Sequence, residues 1–451
     1  MAYISILALF LFSLSFCVTP SDMPGNSWLS VANTPMRAVA PTNGQFAGTW
    51  GASGPAAVIT AWGGGAFDTK GNRLILWGGG HGDYYGNELY AFSVSTLSWR
   101  RLTDPSINPA TANCVINSDG TPTSRHTYNQ VAYISHANCF FNMGGGTCGN
   151  PFSSNITWVF DLVTNKWVNR NPTPPPNSSY ASNCSYDSVS KKVWFGSAAK
   201  SFDGLWDYDY DQNKWTQHNQ DDFYYYTSAL DTKRGILVCV GSSSGNLVAY
   251  NVRSGNFTKL AWTTTGGDAL IANANPGLDY DPVADRIVGW SGGAVYALDL
   301  DTKIWTSYNP SGAPARTSNG IYGRWRYVPS VDAFVLVTDI DQNVYFYKMP
   351  AGTAVQGAGA QNRAFGALSF SVTPNPAVAS TVITVKGLQA SSSVKLGVYD
   401  LQGQLVEDLS AGLRGDFGET VWSAKRFPPG VYMVRLAQGK QNLERLITVM
   451  R

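Results

Sequence analysis

Charge is the scarcest ingredient of this chain. Only 14% of the 451 residues are charged and the two signs nearly cancel, leaving a formal net charge of +2. So weak a field fits neither nucleic acid nor an acidic membrane surface as a partner. Helical 3.6-residue periodicity is nearly absent, which argues against a core built from helices. The apolar run Ile4 to Val18 has about 15 residues against the ~20 that span a bilayer, so no transmembrane segment is expected. Histidine is limited to four residues, and neither a CxxC pair nor a His cluster accompanies the six cysteines. No metal site is expected from such spacings. Glycoside hydrolysis normally uses two carboxylates about 5 to 10 Å apart, and the only local pair near the richest loop is Asp83 with Glu88.

What the chain does have is glycine and aromatic side chains: 46 Gly, 23 Tyr, 20 Phe and 15 Trp. Arg73 to Trp99, RLILWGGGHGDYYGNELYAFSVSTLSW, shows how they are used. Arg73 to Trp77 is an apolar run of strand length, Gly78 to Gly80 end it in a turn, and Glu88 to Val94 alternates like a half-buried strand. The glycines admit backbone angles closed to other residues and gather His81, Asp83, Tyr84, Tyr85 and Asn87 in one tight loop.

The pattern repeats. An aromatic or Leu stands seven residues before a Trp or Phe at Phe92 and Trp99, Phe160 and Trp167, Tyr208 and Trp215, Tyr250 and Phe257, and Leu298 and Trp305. Apart from the longer first step, the spacing is close to the roughly 40 to 50 residues of propeller repeats. Each pair follows an apolar strand: Leu74 to Trp77, Cys139 to Met143, Val193 to Phe195, Ile236 to Val240 and Ile287 to Trp290. A sixth unit, Phe334 to Val337 followed by Val344 to Tyr347, lacks the final Trp. The N-terminal segment Ser27 to Val31 reads as that missing outer strand, and exchange between the two ends would remove open sheet edges. Trp28 should then pack as the outer aromatic of the last unit. The expectation is an all-β chain with a six-bladed propeller, seven blades being the alternative, followed by a small β-sandwich.

Gly78-Gly79, Gly144-Gly145 and Gly292-Gly293, with the spaced aromatics and the repeat length, resemble the kelch repeat over about residues 28 to 350. Units three, four and six carry Gly196-Ser197, Gly241-Ser242 and Thr338-Asp339 instead. The kelch resemblance implies the propeller fold and leaves oxidases, lyases and binding scaffolds open as activities. From Ser369 onward, Pro374-Asn375-Pro376, Val398-Tyr399-Asp400 with Gly403, Gly430-Val431-Tyr432 and Arg445 stand in the order and spacing of the C-terminal sorting domain of the type IX secretion system. That resemblance covers residues 366 to 451 and implies handling by the type IX machinery and a secreted or cell-surface bacterial protein. The domain plan is a signal peptide at 1–20, a propeller at 27–350, a Gly/Ala linker at 351–365 and the sorting sandwich at 366–451. In an exported chain Cys139 and Cys148 are expected to form a disulfide, with Cys114 the competing partner.

Loops joining second to third strands open on the same face as the connections into the next blade. His81 lies in the first kind of loop, Arg125 and His126 in the second, and Arg37, Tyr180 and Arg316 should look toward the same mouth. β-Elimination of a uronate needs a positive group to offset the sugar carboxylate and a His or Tyr to take the neighbouring proton. His81, Arg125, His126 and Tyr128 are of those types, and Arg125 should hold an adjacent imidazole neutral by repulsion. Asp83, Tyr84, Asn87, Arg37, Tyr180 and Arg316 are the substrate-binding candidates. The run Phe223 to Tyr226 could line a sugar groove, with at least one member turned into the core. A copper radical oxidase would need two His, two Tyr and a Tyr-linked Cys, and no adjacent Tyr-His pair occurs. The reading is a propeller acting on an extracellular polysaccharide, as a lyase or as a non-catalytic glycan- or protein-binding module; the cofactor is unknown.

Overall fold

The structure, a computed structural model, describes residues 18–111, 115–148, 153–177, 179–198, 204–242, 246–350, 369–373, 375–386, 394–400, 402, 404–410, 417–438 and 441–450. The signal-peptide core, the linker and Cys114 lie outside these residues. The chain divides into two compact units, Met1–Ala354 and Val355–Arg451. Among the described residues no helix is long and apolar enough to cross a membrane.

The first unit is all-β and propeller-like. Its first sheet is the meander Gly64–Asp68, Arg73–Trp77, Tyr90–Ser93 and Ser98–Arg101. The second is Val131–Ile134, Cys139–Met143, Thr157–Asp161 and Lys166–Asn169, and the third Asn183–Asp187, Lys192–Ser197, Gly204–Asp209 and Lys214–Gln217. The fourth has three strands, Thr227–Asp231, Ile236–Val240 and Val248–Asn251, and the fifth is Gly277–Asp281, Arg286–Trp290, Val295–Asp299 and Ile304–Tyr308. In the sixth, Trp325–Val328, Ala333–Leu336 and Val344–Lys348 are completed by Ser27–Val31 from the far end of the unit. The first strand of each sheet touches the first strand of the next, and the sixth returns to the first. Six inner strands therefore surround a common axis.

The seven-residue aromatic spacing now has a cause. Phe92 faces Trp99 directly across the third and fourth strands, as do Phe160 and Trp167, Tyr208 and Trp215, and Leu298 and Trp305. Cross-strand aromatic pairs of this kind stabilise a sheet beyond the area they bury. In the sixth sheet Tyr347 faces Trp28, so the N-terminal strand supplies the missing partner in the same register. Trp28 also contacts Trp290 and Trp325, with ring centroids 5.6 and 5.9 Å away. The fourth sheet departs: among the described residues it has no outer strand, and instead the Phe257 ring lies 3.9 Å from that of His218, tilted by 33°.

The hairpins between first and second strands share a device as well. A left-handed residue precedes the second strand at Asn72, Asn138, Lys191, Asp285 and Asp332, with φ between 49 and 59°. Asp187, Asp231 and Asp281 accept backbone N–H groups two or three residues on, which fixes the turn. Core residues of neighbouring sheets merge, as where Leu74, Leu76 and Phe92 of the first sheet meet Val335 and Phe346 of the sixth.

The expected disulfide is not formed. Cys139, Cys148, Cys184 and Cys239 are free thiols, Cys139 lying buried in a strand while Cys148 hydrogen-bonds the Thr111 carbonyl across the loop.

The second unit has two sheets on one core. Ser369–Thr373, Thr381–Lys386 and Phe417–Trp422 form the first; Leu405–Asp408, Val394–Tyr399, Gly430–Gln438 and Gln441–Val449 form the second. Ile383, Val385, Leu396, Val398, Trp422, Val434 and Ile447 are buried between them. Asn375 Nδ2 donates to the Leu446 carbonyl, its Oδ1 accepts Thr448 N–H, and Arg445 Nε donates to the Phe370 carbonyl. These side chains tie the start of the unit to its last strand.

Candidate functional site

The segments leading into the inner strands meet at one end of the axis, and each brings one residue in the left-handed region. They are Trp62, Tyr128, Ala181, Tyr225, Asn275 and Tyr322, with φ of 49, 47, 55, 62, 57 and 52°. For a bulky side chain this conformation costs of order 1–2 kcal/mol, yet four of the six are aromatic. Backbone bonds hold the arrangement, with Tyr128 N–H donating to the Trp62 carbonyl at 2.7 Å and Tyr225 N–H to that of Ala181 at 2.9 Å. The rings of Tyr180, Tyr225 and Tyr322 stand 6.5, 6.0 and 5.9 Å from that of Tyr128. Tyr180 Oη lies 3.3 Å from Tyr224 Oη. Tyr128 and Tyr322 are buried, while Trp62, Tyr180, Tyr224 and Tyr225 are half-buried around them. The neighbouring Phe223 and Tyr226 turn into the core instead. The run 223 to 226 is thus split, its two ends in the core and its two middle residues at the mouth.

His81, Asp83 and His126 adjoin this cluster. Gly145 allows it: at φ 102°, a Cβ there would lie 2.7 Å from Arg125 Cδ and 2.8 Å from the His126 carbonyl oxygen. Across that close approach His126 and Gly146 exchange two backbone hydrogen bonds of 2.9 and 3.1 Å. Its imidazole lies between Trp62 at 4.7 Å and His81 at 4.3 Å, centroid to centroid, the rings tilted by 39° and 50°. Nε2 lies 3.3 Å from Asp83 Oδ2, and Nδ1 lies 3.4 Å from Tyr128 Oη. An ionised Asp83 can only accept, so Nε2 carries the proton and Nδ1 accepts from the Tyr128 hydroxyl. Burial, reinforced by repulsion from His81, depresses the His126 pKa to about 4 against the opposing pull of Asp83. Burial likewise pushes the Tyr128 phenol well above its ordinary range, with neighbouring tyrosines adding to it. At neutral pH the trio holds a neutral imidazole and a protonated phenol.

Four expected site residues are occupied elsewhere. Arg125 is fully buried; Nε, Nη1 and Nη2 donate to the carbonyls of Thr123, Gly144 and Val115 at 3.1, 3.0 and 3.2 Å, and the guanidinium lies over Trp77. It ties three loops together, and the neutrality of His126 owes nothing to it. Tyr84 is buried and donates to Glu88 Oε1 at 2.7 Å, an acceptor shared with Tyr90. Burial raises the Glu88 carboxyl's pKa, with both phenol bonds opposing. Asn87 braces the 106 to 122 segment through Ser106 N–H, Thr121 Oγ1 and the Pro122 carbonyl. Arg37 forms a two-pronged pair with Asp341, both bonds 2.9 Å. The remaining guanidinium, Arg316, is half-buried and donates to Asn273 Oδ1 and the Ala274 carbonyl. Trp62 and Tyr322 were missed by the sequence reading; the signal lay in their position two or three residues before an inner strand.

A propeller-like fold with an aromatic mouth at one end of its axis defines the class of the first unit. Residues 371–450 match the secretion system C-terminal sorting domain family. The protein is therefore secreted or attached to the surface of a bacterial cell and is handled by the type IX secretion machinery. A search among curated proteins finds no match to the chain.

Proposed function

We propose that the first unit is a kelch-type propeller of six blades, one per sheet, whose axial mouth binds an extracellular polysaccharide. The aromatic collar carries this reading. Trp62, Tyr180, Tyr224 and Tyr225 offer half-exposed ring faces to the apolar faces of sugar rings, while Asp83, His81 and the tyrosine hydroxyls offer polar partners to sugar hydroxyls. Left-handed backbone at bulky residues persists where the surroundings enforce it and gathers at ligand sites, which supports the same mouth. Calorimetric titration with uronate-rich and neutral polysaccharides tests it. Tyr180→Ala and Tyr225→Ala should each weaken binding about tenfold, roughly the worth of one aromatic contact. Unchanged affinity in both variants, or no binding to any glycan, would overturn it.

A lyase is the second reading, favoured by one observation: a neutral imidazole, His126, whose Nδ1 faces the Tyr128 hydroxyl. A neutral base beside a protonated phenol suits proton abstraction and return. With Arg125 buried, Arg316 is the guanidinium left near the mouth to offset a uronate carboxylate. Turnover is read as absorbance of the unsaturated product, and Tyr128→Phe should cut it by about 10². Absence of product on every uronate substrate leaves the binding function alone.

A further inference from the structure

We propose that the opposite end of the axis holds a second site, which takes a small neutral solute through a primary carboxamide group. The inner strands run away from the aromatic mouth and end around a cavity of about 370 Å³, lined from all six of them. At its wall stand a cation and an anion from neighbouring sheets, Arg326 and Asp279. Arg326 is only 9% exposed, and its Nε and Nη2 both donate to the Gly65 carbonyl at 3.2 Å. Nη1 lies 3.8 Å from Asp279 Oδ1, too far for a hydrogen bond. Asp279 accepts Tyr280 N–H at Oδ1 and Tyr327 N–H at Oδ2, which leaves each oxygen a lone pair. A donor and an acceptor thus stand side by side, incompletely satisfied by each other.

The phenols on this wall are already engaged. Tyr133, Tyr280 and Tyr327 donate to Asn138, Asp285 and Asp332 in their own hairpin turns, so they present rings rather than hydroxyls. Phe67, Leu230 and Pro282 add apolar surface. A primary carboxamide matches this pattern: its carbonyl accepts from Arg326 Nη1, the N–H on the same side as that carbonyl donates to Asp279 Oδ1, and its alkyl part lies on the apolar wall. A trans secondary amide points its C=O and N–H in opposite directions and cannot bridge two atoms 3.8 Å apart. A charged solute would compensate one member of the pair and leave the other without a partner, so the pocket discriminates against uronates. A free aliphatic carboxamide and the Gln or Asn side chain of a short peptide share the chemistry, and the cavity volume admits either.

Saturation-transfer NMR on the full chain tests the assignment with propionamide, N-acetylglutamine methyl ester, glucose and glucuronate as probes. Signal transfer that Ser188→Trp removes is expected for the alkyl protons of at least one carboxamide probe and for neither glucose nor glucuronate, whose signal from the aromatic mouth that variant leaves in place; which carboxamide responds identifies the source. Asp279→Asn removes the acceptor. Ser188→Trp, at an exposed rim position, should close the cavity without touching the pair. Either change should weaken amide binding at least tenfold while polysaccharide binding at Tyr180 and Tyr225 is unaffected. If Asp279→Asn fails to fold, Ser188→Trp decides. Carboxamide probes that do not bind, glucose that loses as much signal in Ser188→Trp, or unchanged carboxamide binding in folded Ser188→Trp would each overturn the proposal.

Discussion

Removing the Trp28 side chain asks whether the ring depends on its two ends meeting. Trp28 stands opposite Tyr347 and packs edge-on against Trp290 at 5.6 Å, with Trp325 at 5.9 Å. Its ring is half-buried, so Trp28→Ala should cost about 3 kcal/mol, the low end of the ~3–5 for truncating a core aromatic. For a unit this large each kcal/mol lowers the melting temperature by roughly 2 °C, so a fall of about 6 °C is expected by calorimetry. Trp28→Phe should recover most of it, because a ring still faces Tyr347. Deleting the strand outright should do worse: Val344–Lys348 would become an open edge, and aggregation should accompany unfolding. A Trp28→Ala variant melting within about 1 °C of the parent would refute the argument, since the last sheet would then hold without its borrowed strand.

The depressed pKa of His126 makes the first unit acid-sensitive. From about pH 6.5 down to about 4 the unfolded chain binds a proton that the native site refuses, so stability should fall across that window by on the order of 2–3 kcal/mol. His126→Gln should flatten that part of the stability profile, and an unchanged slope would contradict it. Arg125→Met should lower stability by several kcal/mol, because the buried carbonyls of Thr123 and Gly144 lose this donor and the bond to the half-buried Val115 carbonyl goes with them; normal melting with impaired function would instead return Arg125 to the site. Reducing agent should leave the melting temperature unchanged, as four thiols are already free. Truncation after Pro350 should leave the melting of the first unit intact and abolish export in a host with the type IX system; continued export would contradict the role of the tail.

Much of the architecture could be read along the chain because its determinants are local. Phe92 and Trp99, or Phe160 and Trp167, meet across one tight hairpin, so their spacing reports the sheet directly. The lone Trp28 and the unfinished sixth unit pointed to the closing strand because a known register was missing one member. The sorting tail was legible for a similar reason: Asn375 and Arg445 bond backbone groups at fixed places in a small sandwich. The candidate site was less legible. His81, Asp83, His126, Tyr128 and Tyr180 do gather, but Arg125, Tyr84, Asn87 and Arg37 do not.

By itself the sequence determined the repeat, the strand pattern, the export tail and the loop that carries His81, since each depends on residues a few positions apart. Tertiary structure alone decided which polar side chains face solvent. A guanidinium in a loop between sheets can turn outward to a ligand or inward to carbonyls, and Arg125 turns inward because the carbonyls of Thr123, Gly144 and Val115 converge on it there. The pairing of Asp279 with Arg326 likewise exists only once the fifth and sixth sheets stand side by side around the axis. Burial sets the protonation of His126 and the occupation of Arg125, and burial belongs to the assembled ring rather than to any one stretch of chain.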